Sequence, residues 1–95
     1  MALKVVWSEE AIQNRKDLFE YWNQRNKSRV FSQKLFNLFE DNLAKLSRNP
    51  IVGRPTSIDN VRAIRVNNYR LVYAFDKERL TLLTIQDLRQ EELKP

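Results

Sequence analysis

Two arginines on either side of a short turn are the residues of this chain best suited to bind an anion. Arg65 and Arg70 flank Asn67-Asn68, and asparagine tolerates the positive φ that a two-residue hairpin turn requires. With that turn, the two arginines lie directly opposite each other on one face of a strand pair. Like charges in such a pair cost roughly a few tenths to 1 kcal/mol, whereas a planar guanidinium binds phosphate at two points. The pattern indicates an anion-binding pair, or alternatively a face that is only solvated or internally paired.

Further charged residues extend this candidate site along the next strand. A four-residue second turn, Asp76–Arg79, would place Ile85 opposite Arg70. Asp87 would then lie diagonally beside Arg70, within reach of a salt bridge. Arg89 would continue the same face and join the arginine pair as a third anion-stabilising residue.

Two more arginines are weaker candidates for binding. Arg62 lies opposite Tyr73 in the same register, where cation–π packing is the simpler explanation of its presence. Arg54 follows the only glycine, Gly53, and either reaches the same cleft or points to solvent.

The composition excludes several kinds of chemistry. The chain has no cysteine and no histidine, so disulfides, thiolate zinc sites, cysteine nucleophiles and imidazole catalysis are ruled out. Carboxylates do not cluster at ligand spacing, so we expect no metal and no organic cofactor. No apolar run approaches the ~20 residues that span a bilayer, so we expect no membrane partner. The absence of cysteine fits an intracellular protein, and we expect a cytoplasmic location. A net charge of +5 favours an acidic protein partner or a polyanion.

Apolar periodicity predicts the elements that position these residues, within one domain covering residues 1–95. In order, they are a strand at Leu3–Trp7, helices at Glu9–Gln24 (capped by Ser8) and from Ser28 to Arg48, and strands at Val61–Val66, Tyr69–Phe75 and Leu80–Asp87. This β-α-α-β-β-β order predicts an α+β fold, in which a helical hairpin packs on one face of an antiparallel sheet. The face that meets the helices should carry Ile64, Val66, Tyr69, Leu71, Tyr73 and Phe75. Trp7 and Trp22 also occupy core positions.

Four segments form an ordered pattern along nearly the whole chain. They are Val6-Trp7-Ser8 with Ala11, Leu18 and Tyr21; the loop Pro50…Gly53-Arg54-Pro55; Arg65…Tyr69-Arg70-Leu71-Val72-Tyr73; and Leu83…Ile85…Asp87-Leu88-Arg89-Gln90. The set resembles the RelE/ParE superfamily. The resemblance implies the toxin of a type II toxin–antitoxin module, which arrests growth when free and is neutralised by an acidic antitoxin encoded beside it.

The resemblance leaves two cellular targets open. RelE-like toxins cut mRNA on the ribosome, and ParE-like toxins poison DNA gyrase. Trp7-Ser8 and the Pro50–Pro55 loop are more similar to the ParE side. Arg65 and Arg89 approximately match the superfamily's phosphate-stabilising arginines.

RNA cleavage also needs one group that removes a proton and one that donates a proton. A guanidinium stays protonated at any working pH, so an arginine cannot fill these roles. The tail Gln90–Pro95 contains no histidine and no aromatic residue, and its Glu91 and Glu92 are the carboxylates that could act as a base. The sequence therefore favours a ParE-like gyrase inhibitor. The alternatives are a RelE-like ribosome-dependent mRNA endonuclease and a non-toxic basic module that binds nucleic acid or protein.

Overall fold

Two α-helices, a short 3-10 helix and five strands make up the computed structural model of the chain, which describes residues 2–89. The elements are β1 (Lys4–Trp7), α1 (Glu9–Asn26), α2 (Val30–Arg48), a short 3-10 helix (Pro50–Val52), β2 (Arg54–Pro55), β3 (Val61–Val66), β4 (Tyr69–Phe75) and β5 (Arg79–Asp87). The predicted α+β fold and the order β-α-α-β-β-β are confirmed. The two-residue strand β2 is an addition at the edge of the sheet.

The strands form one sheet in the order β1-β5-β4-β3-β2. The pairs β3–β4 and β4–β5 are antiparallel, as predicted, and the added strand β2 pairs with β3 in the same antiparallel sense. β1 joins the sheet beside β5 and runs parallel to it, with Trp7 opposite Leu82. The sheet is therefore mixed. The first and last strands are far apart in the sequence, so their pairing leaves no local signal.

Local capping sets the ends of the helical hairpin. The Ser8 hydroxyl accepts a hydrogen bond from the N–H of Ala11 at 3.0 Å, which caps α1 as predicted. α1 ends where Lys27 adopts a left-handed conformation, two residues beyond the predicted end. Ser28 binds the N–H of Val30, the first residue of α2, so the helix begins just after the predicted cap. Within residues 2–89, neither helix combines the length and apolar character needed to cross a membrane.

The core lies between the helical hairpin and one face of the sheet. Tyr69 and Tyr73 are buried, as predicted, and Trp7 and Trp22 pack against the core while remaining half-buried. The largest fully buried side chains are Tyr73, Phe39, Leu35, Leu43, Leu71, Leu80 and Leu82. Burial of a leucine-sized side chain contributes about 1.5–3 kcal/mol, so this layer fixes which face of the sheet points outward.

The register of β3 and β4 is the predicted one. Arg65 lies opposite Arg70, and Val66 lies opposite Tyr69. Asn67 takes the positive φ (55°) expected of the turn.

The register of β4 and β5 differs from the prediction because β5 contains a bulge. Tyr73 pairs with Leu82, but the next residue, Val72, pairs with Thr84, which leaves Leu83 as the extra residue. Ser8 anchors the bulge, since its N–H donates to the carbonyl of Leu82 at 2.9 Å and its hydroxyl donates to that of Leu83 at 2.7 Å. A one-residue shift moves every later side chain of β5 to the opposite face.

Candidate functional site

The candidate site begins with the arginines on the face of the sheet turned away from the helices, which we call the outer face. Arg65 and Arg70 share this face as a directly opposed pair, and Arg65 is exposed while Arg70 is half-buried. Arg54 pairs with Ala63, which places it on the same face as Arg65. The outer face therefore brings together three of the predicted binding residues.

Each arginine of the opposed pair makes a defined hydrogen bond. Nε of Arg65 donates to the carbonyl of Asn67 at 2.9 Å, and Nη1 of Arg70 donates to Oε1 of Gln86 at 3.2 Å. The predicted ion pair between Asp87 and Arg70 is wrong, because the bulge places Gln86 opposite Arg70. The amide oxygen of Gln86 thus fixes the direction of this N–H group of Arg70.

Asp87 and Arg89 lie on the other side of the sheet. Asp87 pairs across the strands with Tyr69, on the face that meets the helices. The prediction that Arg89 continues the face of Arg65 and Arg70 is therefore wrong. Nη2 of Arg89 contacts Oδ2 of Asp87 at 2.9 Å, and its Nε contacts Oδ1 at 3.2 Å.

Three aromatic rings surround the Arg89 guanidinium. Its Cζ lies 4.7 Å from the ring centre of Trp22, 5.6 Å from that of Tyr21 and 5.9 Å from that of Tyr69. The indole N–H of Trp22 donates to the Tyr69 hydroxyl at 2.7 Å, which joins α1 to β4 at this point. We refer to these three rings with Asp87 and Arg89 as the Arg89 cluster.

The electrostatics of the Arg89 cluster reflect its ion pair and its burial. Hydrogen bonding from the Arg89 side chain lowers the pKa of Asp87, and the same bond raises the pKa of Arg89. Burial raises the pKa of Tyr69, although its hydrogen bond with Trp22 works in the opposite direction. In the Arg89 cluster, the negative charge of Asp87 and the positive charge of Arg89 are thus held as one ion pair.

Arg62 supports a loop. Its Nη1 donates to the carbonyls of Ile51 at 3.1 Å and Gly53 at 2.9 Å, in place of the predicted cation–π contact with Tyr73. The Tyr73 hydroxyl donates to the carbonyl of Pro50 at 2.7 Å and accepts from the N–H of Gly53 at 3.0 Å. Together, Arg62 and Tyr73 hold the loop that leads into β2, and so they position Arg54.

A groove of about 620 Å³ lies between α1 and the end of β5. Its α1 wall is formed by residues at helical spacing, and its strand wall includes the last residues of β5. The main contributors are Asn14, Asp17, Leu18 and Tyr21 from α1, and Ile85 and Asp87 from β5. Tyr69 and Arg89 also line it, so the groove is continuous with the Arg89 cluster.

Within residues 2–89, the arginines of the outer face are groups that could bind an anion, whereas the tyrosines of β4 are poorly placed to transfer a proton. Both tyrosines of β4, Tyr69 and Tyr73, lie on the helix-facing side, and burial raises the pKa of each. Among residues 2–89, His, Cys, Asp and Glu nowhere form a group of three that could hold a metal ion. Glu91 and Glu92, the candidate bases of the tail, lie outside the described residues.

Sequence reasoning missed Gln86 and the aromatic rings that surround Arg89. The available signal was in β5, where the buried residues Leu80 and Leu82 are followed by Ile85. Their spacing changes from two to three residues, which breaks the alternation of a regular strand and indicates a bulge. The rings of α1 left no comparable signal, because their contact with Arg89 depends on how α1 crosses the end of β5.

Comparison with solved structures finds the same fold in three other proteins. The chain is similar to a structure of the chromosomal ParDE system from P. aeruginosa, with a TM-score of 0.77, 12% identity and coverage of 92% of this chain and 97% of that one. It is also similar to the RelBE2 complex of Mycobacterium tuberculosis (TM-score 0.64, 20% identity, coverage 92% and 99%). The YoeB dimer of Staphylococcus aureus gives a TM-score of 0.63 at 17% identity, with coverage of 90% and 97%. At these identities the likeness shows a shared fold.

The family follows from a match over most of the sequence. The family model described as the ParE toxin of the type II toxin–antitoxin system parDE matches residues 5–91. The chain belongs to this family. Comparison with curated protein sequences gave no match.

Proposed function

We propose that this protein arrests bacterial growth by inhibiting DNA gyrase, and that a cognate acidic antitoxin neutralises it. Membership of the ParE toxin family supports both parts of the proposal. The net charge of +5 and the three arginines of the outer face favour an acidic partner.

The observation that carries the choice of target is the position of Arg89. The resemblance implies that an RNA-cleaving toxin would use arginines at the positions of Arg65 and Arg89 to stabilise phosphate, and in this chain the two lie on opposite sides of the sheet. Arg89 is already paired with Asp87 and stacked among aromatic rings. This arrangement favours an inhibitor that acts by binding over an enzyme that stabilises a phosphorane.

A RelE-like mRNA endonuclease is the second candidate. The directly opposed pair Arg65 and Arg70 favours it, because two adjacent guanidinium groups suit an RNA phosphate. The structural likeness to the RelBE2 and YoeB proteins is compatible with it at the level of fold.

Expression of the chain alone in a bacterium tests the proposal. We expect growth arrest in cells whose transcripts remain intact. In an assay with purified components, we expect the protein to abolish DNA supercoiling by gyrase. Co-expression of the small protein encoded in the neighbouring reading frame should restore growth. Cleavage within codons of ribosome-bound mRNA would instead establish the endonuclease, and normal growth at high expression would favour a non-toxic binding module.

A further inference from the structure

The loop between α2 and β2 presents two apolar side chains to solvent. Ile51 and Val52, which belong to the short 3-10 helix, are 62% and 64% exposed. Neither side chain contributes to the core of the described residues. Adjacent apolar side chains that are exposed in this way gain from the hydrophobic effect only when a partner covers them.

The backbone of this loop is held in place by side chains of the sheet. Arg62 donates to the carbonyls of Ile51 at 3.1 Å and Gly53 at 2.9 Å. Tyr73, whose side chain is fully buried, bonds the carbonyl of Pro50 and the N–H of Gly53. Ordering a flexible loop on binding costs conformational entropy, so a loop that is already ordered retains more of its contact energy as affinity.

The chain on both sides of the loop is basic. Between Asp41 and Asp59 the sequence contains no carboxylate side chain, and the charged residues in that interval are Lys45, Arg48 and Arg54. All three of these cations are exposed. An apolar tip with cations around it has the pattern of a protein interface, in which an apolar centre is surrounded by a polar rim. Its charge complements an acidic partner surface.

Shape and charge together decide which partner fits the loop. A second copy of this chain would bring the same cations against one another, and the net charge of +5 opposes that contact. An ordered, exposed tip needs a concave site of matching shape. A large folded enzyme provides such a site, whereas an extended segment of a small partner does not.

We propose that Ile51 and Val52 insert into an apolar pocket on an acidic surface of gyrase, so that this loop recognises the target. The inference rests on the proposed function, since it names the surface through which the inhibitor contacts its enzyme. The two side chains supply the apolar contact, and the neighbouring cations orient the loop on the acidic surface. Arg62 and Tyr73 keep the loop in its binding conformation before the target is met.

Two valines of nearly equal exposure provide a matched pair of variants. Val52 is 64% exposed in the loop, and Val30 is 62% exposed at the start of α2, whose 19 residues span about 28 Å. Aspartate at either position removes the same apolar side chain and lowers the net charge equally. In supercoiling assays with purified gyrase, the concentration that gives half-inhibition should rise about tenfold or more for Val52→Asp. It should stay within about twofold for Val30→Asp.

Two further measurements on the same variants identify the partner that the loop contacts. Urea unfolding should show both variants folded, because both positions lie outside the core. The Kd for the protein encoded in the neighbouring reading frame should stay within about twofold for both. Equal inhibition of gyrase by the two variants would overturn the inference and leave the proposed function intact. A weaker complex of Val52→Asp with the neighbouring-frame protein, at unchanged inhibition, would assign the loop to that protein and overturn the inference as well.

A second pair of variants tests the acidic character of the partner surface. Arg48→Ala removes an exposed cation beside the loop, and Lys34→Ala removes one from the first half of α2. At low salt the half-inhibiting concentration should rise about threefold to tenfold for Arg48→Ala and stay within about twofold for Lys34→Ala, and added salt should reduce the difference. Equal inhibition by both at every salt concentration would overturn the acidic surface as the binding partner. A lack of inhibition by the unmodified chain would instead overturn the proposed function itself.

Discussion

The guanidinium of Arg89 stands 4.7 Å from the centre of the Trp22 ring, on the side of the sheet that faces the helices. The contact links Arg89, two residues beyond the end of β5, to the C-terminal half of α1, and the hydrogen bond from Trp22 to Tyr69 extends the link to β4. A cation held over an aromatic face and paired with a carboxylate stabilises the local structure. Arg89 thus contributes to the stability of the fold.

Replacement of Arg89 should lower stability. Arg89→Ala removes the ion pair with Asp87 and the contact with Trp22, so we expect a loss of about 1–2 kcal/mol in the free energy of unfolding. Arg89→Lys keeps the charge but loses the planar group that stacks and binds at two points, so it should recover less than half of this loss. Urea unfolding of both variants, with Lys4→Ala at the exposed first position of β1 as the control, measures the difference. Unchanged stability of Arg89→Ala would contradict a structural role.

The ion pair also predicts a dependence of stability on pH. The hydrogen bonds from Arg89 hold the pKa of Asp87 below its ordinary value, so the ionised form stabilises the fold. This contribution is complete above the pKa of the unfolded chain and is lost as the pH falls below about 4. Asp87→Asn should therefore be less stable than the unmodified chain at pH 7, with the gap closing in acid. Urea unfolding between pH 7 and pH 2.5 measures the gap, and Asp41→Asn, an exposed carboxylate on α2, is the control. A gap of constant size would exclude the ion pair as its cause.

Local signals predicted the elements and the outer pair of arginines. Alternation placed Tyr69 and Tyr73 on the buried face, and the Asn67-Asn68 turn fixed the register that brings Arg65 and Arg70 together. These features depend on neighbours within one hairpin. Each feature could therefore be predicted from a few consecutive residues.

The positions of Asp87 and Arg89 depend on contacts between residues that are distant in the sequence. The bulge at Leu83 is held by Ser8, which lies 75 residues away along the chain. That bulge turns Asp87 from the outer face to the helix-facing side and carries Arg89 with it. The position of α1 then supplies Trp22 as a partner for Arg89. A register deduced from hairpin lengths includes none of these contacts, so it placed Asp87 and Arg89 on the wrong face of the sheet.

The loop held by Tyr73 should not tolerate a side chain at Gly53. A methyl group there would overlap the Tyr73 hydroxyl and lie 2.9 Å from two of its ring carbons. We expect Gly53→Ala to cost about 1–3 kcal/mol of unfolding free energy, and Tyr73→Phe to cost about 1 kcal/mol for its lost hydrogen bonds. Because Tyr73→Phe removes the atom that the methyl would strike, the double variant should lose less than the sum. Urea unfolding of the cycle measures this coupling, and strict additivity would show that the two residues do not meet.

The outer face should matter for binding more than for folding. Arg65 and Arg70 lie on the outer face, away from the core, so replacing both with alanine should change the free energy of unfolding by about 1 kcal/mol or less. Affinity for the acidic partner should fall, and its dependence on salt should become shallower, because fewer charges remain to be screened. The matched control replaces Lys34 and Lys45, two exposed lysines of α2, and so lowers the net charge equally. Calorimetric titration of each double variant with the acidic partner at two salt concentrations measures the affinity and its dependence on salt. Equal losses in both double variants would show that net charge alone attracts the partner, and a loss confined to the arginine variant would place the contact on the outer face.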